Sequence, residues 1–370
     1  MKVGDKHYRS IWDEDGKVFV IDQSLLPHEF RIIPLPTSGD AAHAIRSMQV
    51  RGAPCIGATA AYGVALALGE DASDAALHSA LETLGATRPT AVNLRWALDQ
   101  MRTAVAPLPM RDRAEAALAW ARKICEDDVL LCRDIGEHGL AVLRSLAAQK
   151  PDRPLNVLTH CNAGWIACVD WGTALAPLYL AHDEGMKIHV WVDETRPRLQ
   201  GAALTAWELG SHGIAHHVIT DNAGGLLMQR GQVDVVIVGT DRVAANGDTA
   251  NKIGTYLKAL AAHDNGVPFY VALPHTTIDW SLASGDHIPI EDRGEGEVLS
   301  VRGRMKSGVL GEVDIAPLGS PALNPGFDVT PARLITGFIT ERGVAPASAE
   351  GLRGLYPERI EAQHGAVGRR

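Results

Sequence analysis

The second half of this chain is written in a strict alternation of apolar strands and helical stretches, and few folds accommodate that pattern. After Pro154, LNVLTH reads as a strand and is followed by a turn and the helix-like IACVDWGTALAPLYLAHDEG. KIHVWVD is a strand followed by a helix to Leu209, and IAHHVIT is a strand followed by a short helix through GGLLMQRG. VDVVIVG is a strand followed by a loop and the helix KIGTYLKALAAHDNG, and VPFYVALP is a further strand. These strands are apolar along nearly their whole length, not at alternate positions. A strand buries both faces only between two layers of helices, and each helix returns the chain so that the next strand runs parallel.

The first half reads differently. KVFVIDQ and EFRIIPLP, between residues 16 and 36, suggest a short antiparallel start. From Ser38 to about Ala148 apolar residues recur at helical spacing, through AAHAIRSMQV, IGATAAYGVALAL, AALHSALETL, NLRWALDQM and a long run ending in LRSLA. The polar stretch Gln149–Pro154 breaks that pattern. The expected class is therefore α/β. A mainly helical N-terminal domain with a small antiparallel sheet spans 1–149. A second domain, with a mostly parallel sheet covered on both faces, spans 150–370. Residues 281–331 form a Gly/Pro-rich excursion that is a candidate lid.

Such sheets bind ligands at the carboxyl ends of their strands, near a topological switch point, and the residues there are chemically loaded. They are Cys161-Asn162-Ala163-Gly164, Glu194-Thr195-Arg196, Asp221-Asn222, Thr240-Asp241-Arg242, and His275-Thr276-Thr277. Cys161, between a strand and an expected helix start, suits a reactive thiol. Asp241, at the end of a short apolar strand, suits a partly desolvated acid/base. Asp221 has the same position but is as readily a turn former.

Cations mark four expected helix starts: Arg51 before Gly52-Ala53-Pro54, Arg95 after Asn93, Arg196 and Arg198 before GAALTAWELG, and Lys252 after Asn251. A helix N-terminus already carries about half a positive charge. A cation becomes favourable there when an anion docks between it and the free backbone N–H groups. Four such sites point to a bound phosphate or carboxylate.

Bulk properties narrow the class. A net charge of −9 over 370 residues argues against a nucleic-acid groove or an anionic membrane surface as partner. There is no signal-peptide h-region and no apolar run near the roughly 18 residues of a membrane span, so a soluble cytoplasmic enzyme is expected. The five cysteines are odd in number and scattered, which suggests reduced thiols. No G-x-G-x-x-G, P-loop, H-E-x-x-H or C-x-x-C occurs, so no nucleotide or other cofactor is expected. His160 and the His212/His216/His217 group match no standard ligand spacing, and no metal is expected.

A set of motifs resembles one family. They are Arg51-Gly52-Ala53-Pro54, Asn93-Leu94-Arg95-Trp96-Ala97, Thr159-His160-Cys161-Asn162-Ala163-Gly164, and Glu194-Thr195-Arg196-Pro197 with Gln200-Gly201. Gly239-Thr240-Asp241-Arg242, Asn251-Lys252-Ile253-Gly254 and Phe327-Asp328-Val329-Thr330-Pro331 complete the set. In this order, over nearly the whole chain, they resemble the 5-methylthioribose-1-phosphate isomerases of methionine salvage. The wider superfamily includes ribose-1,5-bisphosphate isomerases and non-catalytic regulatory subunits of an initiation-factor exchange complex. The resemblance implies a helical N-terminal domain with a small sheet, a Rossmann-like C-terminal catalytic domain without nucleotide, and an aldose–ketose isomerase acting on a sugar phosphate, without cofactor, as a homodimer. It implies Cys161 and Asp241 as the catalytic pair. It also implies that Arg51, Gly52, Ala53, Arg95, Gln200, Asn251 and Lys252 hold the substrate, mainly its phosphate. Arg196 and Arg198 are not usual family ligands and are expected to shape their loop. Two stretches depart from the pattern: Pro274-His275-Thr276-Thr277, where the family has Pro-Thr-Ser-Thr, and Arg302–Ser320. Two routes stay open for the hydrogen that moves: a proton through an enediolate-like intermediate with Cys161 as base, or a hydride passed directly from C2 to C1.

Overall fold

The computed structural model describes residues 1–88 and 91–359. It is a mixed α/β structure of the expected kind. The N-terminal sheet has three antiparallel strands, Ile11–Glu14, Lys17–Ile21 and Ile32–Leu35. Its first strand, IWDE, lies outside the stretch the sequence marked. A two-residue turn at Asp15-Gly16, both at positive φ, folds it back so that Trp12 opposes Phe19.

Five helices follow: Ser38–Arg46, Ala53–Glu70, Asp74–Gly85, Val92–Val105 and Met110–Ala148. The second is apolar all round, from Cys55 to Leu68, so it forms the centre on which the others pack. The fifth has 39 residues and belongs to two cores. Its first half buries Ala117, Ala121 and Ile124 among the helices, and its second half buries Ile135, Leu140 and Leu143 under the large sheet.

That sheet has seven strands in the order Gly343–Ala345, Gly337–Thr340, Phe269–Ala272, Val235–Val238, Leu155–Thr159, Ile188–Asp193, His216–Ile219. All pairs are parallel except the one joining the two most C-terminal strands. The central strand VVIV is buried at every position, as helices on both faces require. The order reverses between Leu155–Thr159 and Val235–Val238, so the crevice for a ligand opens beyond these two strands.

Two local expectations fail. The residues after Leu155–Thr159 do not enter a helix: a single 3-10 turn, Trp165–Ala167, is followed by irregular chain, and the helix starts only at Ala176. Lys252 does not head a helix. It ends the strand Thr249–Lys252, and the helix Thr255–Asp264 begins after the left-handed Gly254. That strand belongs to a second, four-stranded sheet in the order Ile278–Asp279, Arg242–Ala244, Thr249–Lys252, Phe327–Thr330. The excursion 281–331 carries the last of these strands. It also carries the short helix Gly296–Leu299 and a hairpin of Ser300–Arg304 with Leu310–Asp314.

Candidate active site

The two strands flanking the switch point deliver the thiol and the carboxylate. Cys161 lies two residues beyond Thr159, in the left-handed region at φ 67°. A side chain other than glycine, Asn or Asp is rarely found there. The conformation is fixed from both sides: the Cys161 N–H donates to Thr195 Oγ1 at 2.9 Å, and Thr205 Oγ1 donates to the Cys161 carbonyl at 2.7 Å. Hydroxyl groups of Thr195, just past the neighbouring strand Ile188–Asp193, and of Thr205, in the helical turn Gly201–Thr205, thus take the place of the helix the sequence suggested.

The loop beneath is held by one buried carboxylate. Glu208 accepts from Asn162 Nδ2 at 2.8 Å, from the Trp165 and Ile166 N–H groups, and from Tyr179 Oη at 2.5 Å. Burial raises its pKa, and these donors oppose the rise. Gly164 is obligatory in this packing, because a Cβ there would fall inside the Glu208 carboxylate.

Beyond Val235–Val238 the chain turns into the hairpin Arg242–Ala244 and Thr249–Lys252. The Asp241 N–H donates to the Ala250 carbonyl at 3.0 Å, and Arg242 pairs with Ala250 in register. This hairpin, not a helix start, brings Asp241, Asn251 and Lys252 to one place. Asp241 is half-buried. Its pKa is raised by burial, against which Lys252, Arg88 and Arg51 pull it down. Burial likewise raises the Cys161 thiol, opposed by Arg51 and then Lys252. The Lys252 ammonium is lowered by burial, with Cys161 the strongest opposing influence. It lies 4.8 Å from the centroid of the Phe327 ring.

Arg51, Gly52, Ala53, Cys161, Gln200, Asp241 and Lys252 line one cavity. Asn251 lines its inner extension together with Cys161, Asn162, Thr240 and Thr277. Gly52, at φ 87°, leads into the helix at Ala53 and lies against Ala167, where no Cβ would fit. The Gln200 amide oxygen and Arg51 Nε are buried without a hydrogen-bond partner, as expected of groups that await a polar ligand.

Arg95 is not brought to this cavity. It is exposed on the helix Val92–Val105 and lines a surface depression with Glu82, Asp99 and Arg102 that adjoins the cavity through Arg88 and Ala91. Asn93 is not a cap. It is buried, donates to Thr276 Oγ1 at 3.0 Å, and ties the helical region to the chain beyond Phe269–Ala272. Arg88, which sequence reasoning passed over, lines both the cavity and that depression. Its Nη2 donates to Glu291 at 3.1 Å, and its guanidinium faces the cavity. Like Arg51, it is a cation in the turn ahead of a helix, and that shared placement was a usable signal.

The excursion forms the outer wall through Ile288, Pro289, Arg293 and Phe327. Arg196 and Arg198 serve it: Arg196 donates to the Val298 carbonyl at 2.8 Å, and Arg198 to Glu297 at 2.8 Å. Burial would raise the Glu297 carboxyl, but Arg293 and Arg198 more than offset this and hold it at about 2. His275 turns outward to Glu341, while Thr276 meets Asn93, so the departure at His275 does not touch the cavity. The histidines do not converge on one point among the described residues. His160 bonds to Asp193 and the Ile253 carbonyl, His212 to Asp183, and His217 to His189. Lys258, 3.2 Å from Asp193, supplies the positive charge beside that carboxylate.

A thiol and a carboxylate at the switch point of a Rossmann-like sheet, faced by Arg51 and Lys252, define a protein that acts on a small anionic metabolite. The chain belongs to the Initiation factor 2 subunit family, whose pattern matches residues 49–347, and within it to the methylthioribose-1-phosphate isomerases. It is 62% identical to the methylthioribose-1-phosphate isomerase of Sinorhizobium medicae, over 97% of this chain and all of that protein. It is likewise 62% identical to that of Rhodospirillum rubrum, over 98% of this chain and 95% of that protein. The crystal structure of 5-methylthioribose 1-phosphate isomerase from Pyrococcus horikoshii superposes with a TM-score of 0.82 at 39% identity, covering 96% of this chain and 99% of that one. The crystal structure of an initiation factor eIF-2B delta subunit from A. fulgidus superposes with a TM-score of 0.80 at 38% identity, covering 94% and 99%. No helix among the described residues is long and apolar enough to cross a membrane.

Proposed function

We propose that this protein is an aldose–ketose isomerase that converts 5-methylthioribose 1-phosphate to 5-methylthioribulose 1-phosphate in methionine salvage. The observation that carries the reading is the joint presence of Cys161 and Asp241 in a cavity that also presents Arg51 and Lys252. A regulatory subunit of the same fold has no need of that pair.

The reaction breaks the C1–O4 ring bond, moves one hydrogen from C2 to C1, and leaves C2 as a carbonyl. A proton must reach O4 and another must leave the C2 hydroxyl. Asp241 has a raised pKa and half-buried setting, which suit it to carry these protons on oxygen. Cys161 acts at C1/C2. Burial favours its protonated thiol, and the C2 hydrogen moves either as a proton that Cys161 takes from C2 and returns to C1 or as a hydride passed directly between them. Arg51 and Lys252 hold the phosphate, with Gly52, Ala53, Gln200 and Asn251 around the sugar. The same proposal includes a homodimer and a cytoplasmic setting, as in the family reading of the sequence.

Turnover of 5-methylthioribose 1-phosphate by the purified protein tests the activity, and its absence refutes it. The same assay in D2O tests the route: solvent deuterium at C1 of the product would show a proton intermediate and overturn direct transfer. Sedimentation at micromolar concentration tests the dimer, and a fully active monomer would contradict it.

A further inference from the structure

The cations of the cavity fall into two sets, those paired with a carboxylate and those that are not. The cavity wall carries Arg51, Arg88, Arg242, Lys252 and Arg293. Arg51 is held by oxygens of Asn162, and Lys252 lies over Phe327. Neither forms an ion pair among the described residues. The other three are each matched by a carboxylate. Arg242 pairs with Asp279 at 3.3 Å, and Arg88 with Glu291 at 3.1 Å. Arg293 makes two bonds of 3.0 Å to Glu297 and also stands 3.6 Å from Glu291.

Glu291 is the pivot of this matching. It comes from the excursion, yet it binds Arg88 of the helical region, and it faces Arg293 four residues before Glu297. Asn324 and Arg198 fix Glu297 in turn, at 3.1 and 2.8 Å. The outer side of the cavity is therefore rich in guanidinium groups but carries almost no net charge. Ile288, Pro289 and Met48 complete it with apolar surface. Arg51 and Lys252 have no such ion-pair partner among the described residues, and with Asp241 the one carboxylate lining the cavity beside them they leave a net positive charge there.

We propose that Glu291, backed by Glu297, determines specificity by neutralising the outer side of the cavity, so that it accepts an uncharged C5 substituent and rejects a second phosphate. This rests on the isomerase reading above. A 5-phosphate placed there would have to displace a carboxylate from Arg88 or Arg293, or lie beside it. Both outcomes oppose binding, because like charges in a partly buried site repel strongly. Removing the Glu291 charge frees the Arg88 guanidinium and leaves Arg293 held by Glu297 alone, and a guanidinium is a good bidentate partner for phosphate.

The test is the ratio of kcat/KM for ribose 1,5-bisphosphate to that for 5-methylthioribose 1-phosphate. Glu291→Gln should raise the ratio at least tenfold, mainly through a lower KM for the bisphosphate. Glu291→Asp, which keeps the charge, should leave the ratio near that of the parent. Glu297→Gln should raise it in the same direction and serves if the first variant does not fold. An unchanged ratio in a folded Gln variant, or a parallel fall for both substrates, overturns the proposal and leaves Glu291 a lid fastener only. If the parent does not turn over 5-methylthioribose 1-phosphate, the isomerase reading itself has failed.

Discussion

The Arg51 guanidinium donates to both oxygens of Asn162, the side-chain amide oxygen and, at 2.9 Å, the main-chain carbonyl. Asn162 directly follows Cys161, and its amide group donates to Glu208. The Arg51 guanidinium, which lines the cavity, and the loop that carries the thiol are therefore one hydrogen-bonded unit. It spans two stretches 111 residues apart in the chain.

Cys161→Ser and Asp241→Asn should each lower kcat by at least about a hundredfold, the usual scale for a positioned acid/base. Both changes are near-isosteric, so melting temperature should stay close to the parent's. Near-parental turnover in either variant would remove that residue from the chemistry.

Millimolar phosphate should raise the parent's melting temperature by mass action. Lys252→Met and Arg51→Met should gain less, and substrate affinity should fall by about 1.5–3 kcal/mol for the lost charge-assisted bond. Arg95→Met and Arg198→Met should respond like the parent. Arg95 is exposed outside the cavity, and Arg198 is engaged with Glu297. An equal response from all four would show that the anion does not sit between Arg51 and Lys252.

Lys252 is the strongest influence holding the Asp241 carboxyl down against the effect of burial. In Lys252→Met the pKa assigned to Asp241 in the kcat/KM profile should move to higher pH. A profile that moves to lower pH, or not at all, would separate the two residues electrostatically.

Burial pushes the Asp128 carboxyl up to about 7, although it accepts a hydrogen bond from the Val169 N–H at 2.7 Å. A carboxyl whose folded pKa exceeds its unfolded value stabilises the fold while it is protonated. That contribution is complete below about pH 4, the unfolded carboxylate range, and is lost as pH rises through about 7. Asp128→Asn should flatten the stability curve between these limits and melt later than the parent at pH 8. Urea titrations across this range measure it; a slope that survives in the variant would assign the pH dependence to other groups.

Gly164→Ala places a Cβ inside the Glu208 carboxylate. The loop must shift, at a cost on the usual overpacking scale of about 1–3 kcal/mol. Both melting temperature and turnover should fall, since the same shift moves Cys161. Full stability with full activity would show that Glu208 can yield without disturbing the thiol.

The sequence alone determined the parallel sheet, because strands apolar along nearly their whole length, such as VVIV, bury both faces only between two helical layers. It determined the helical N-terminal region through period alone. It also placed Cys161 and Asp241 at the ends of strands, which puts a residue at a ligand crevice whatever the detailed topology. The tertiary structure decided how those residues are held. Cys161 keeps its left-handed conformation through Thr195 and Thr205, residues distant in sequence, and not through a helix of its own. Lys252 reaches Asp241 through hairpin register, a pairing that local periodicity does not encode. Arg95 and Arg88 lie seven residues apart on either side of a helix start, and both read as cations near an N-terminus. Which of them faces the ligand depends on the side of the helix Val92–Val105 that is buried. That side is set by packing against Ala53–Glu70 and by the bond from Asn93 to Thr276, contacts that exist only once the chain has closed.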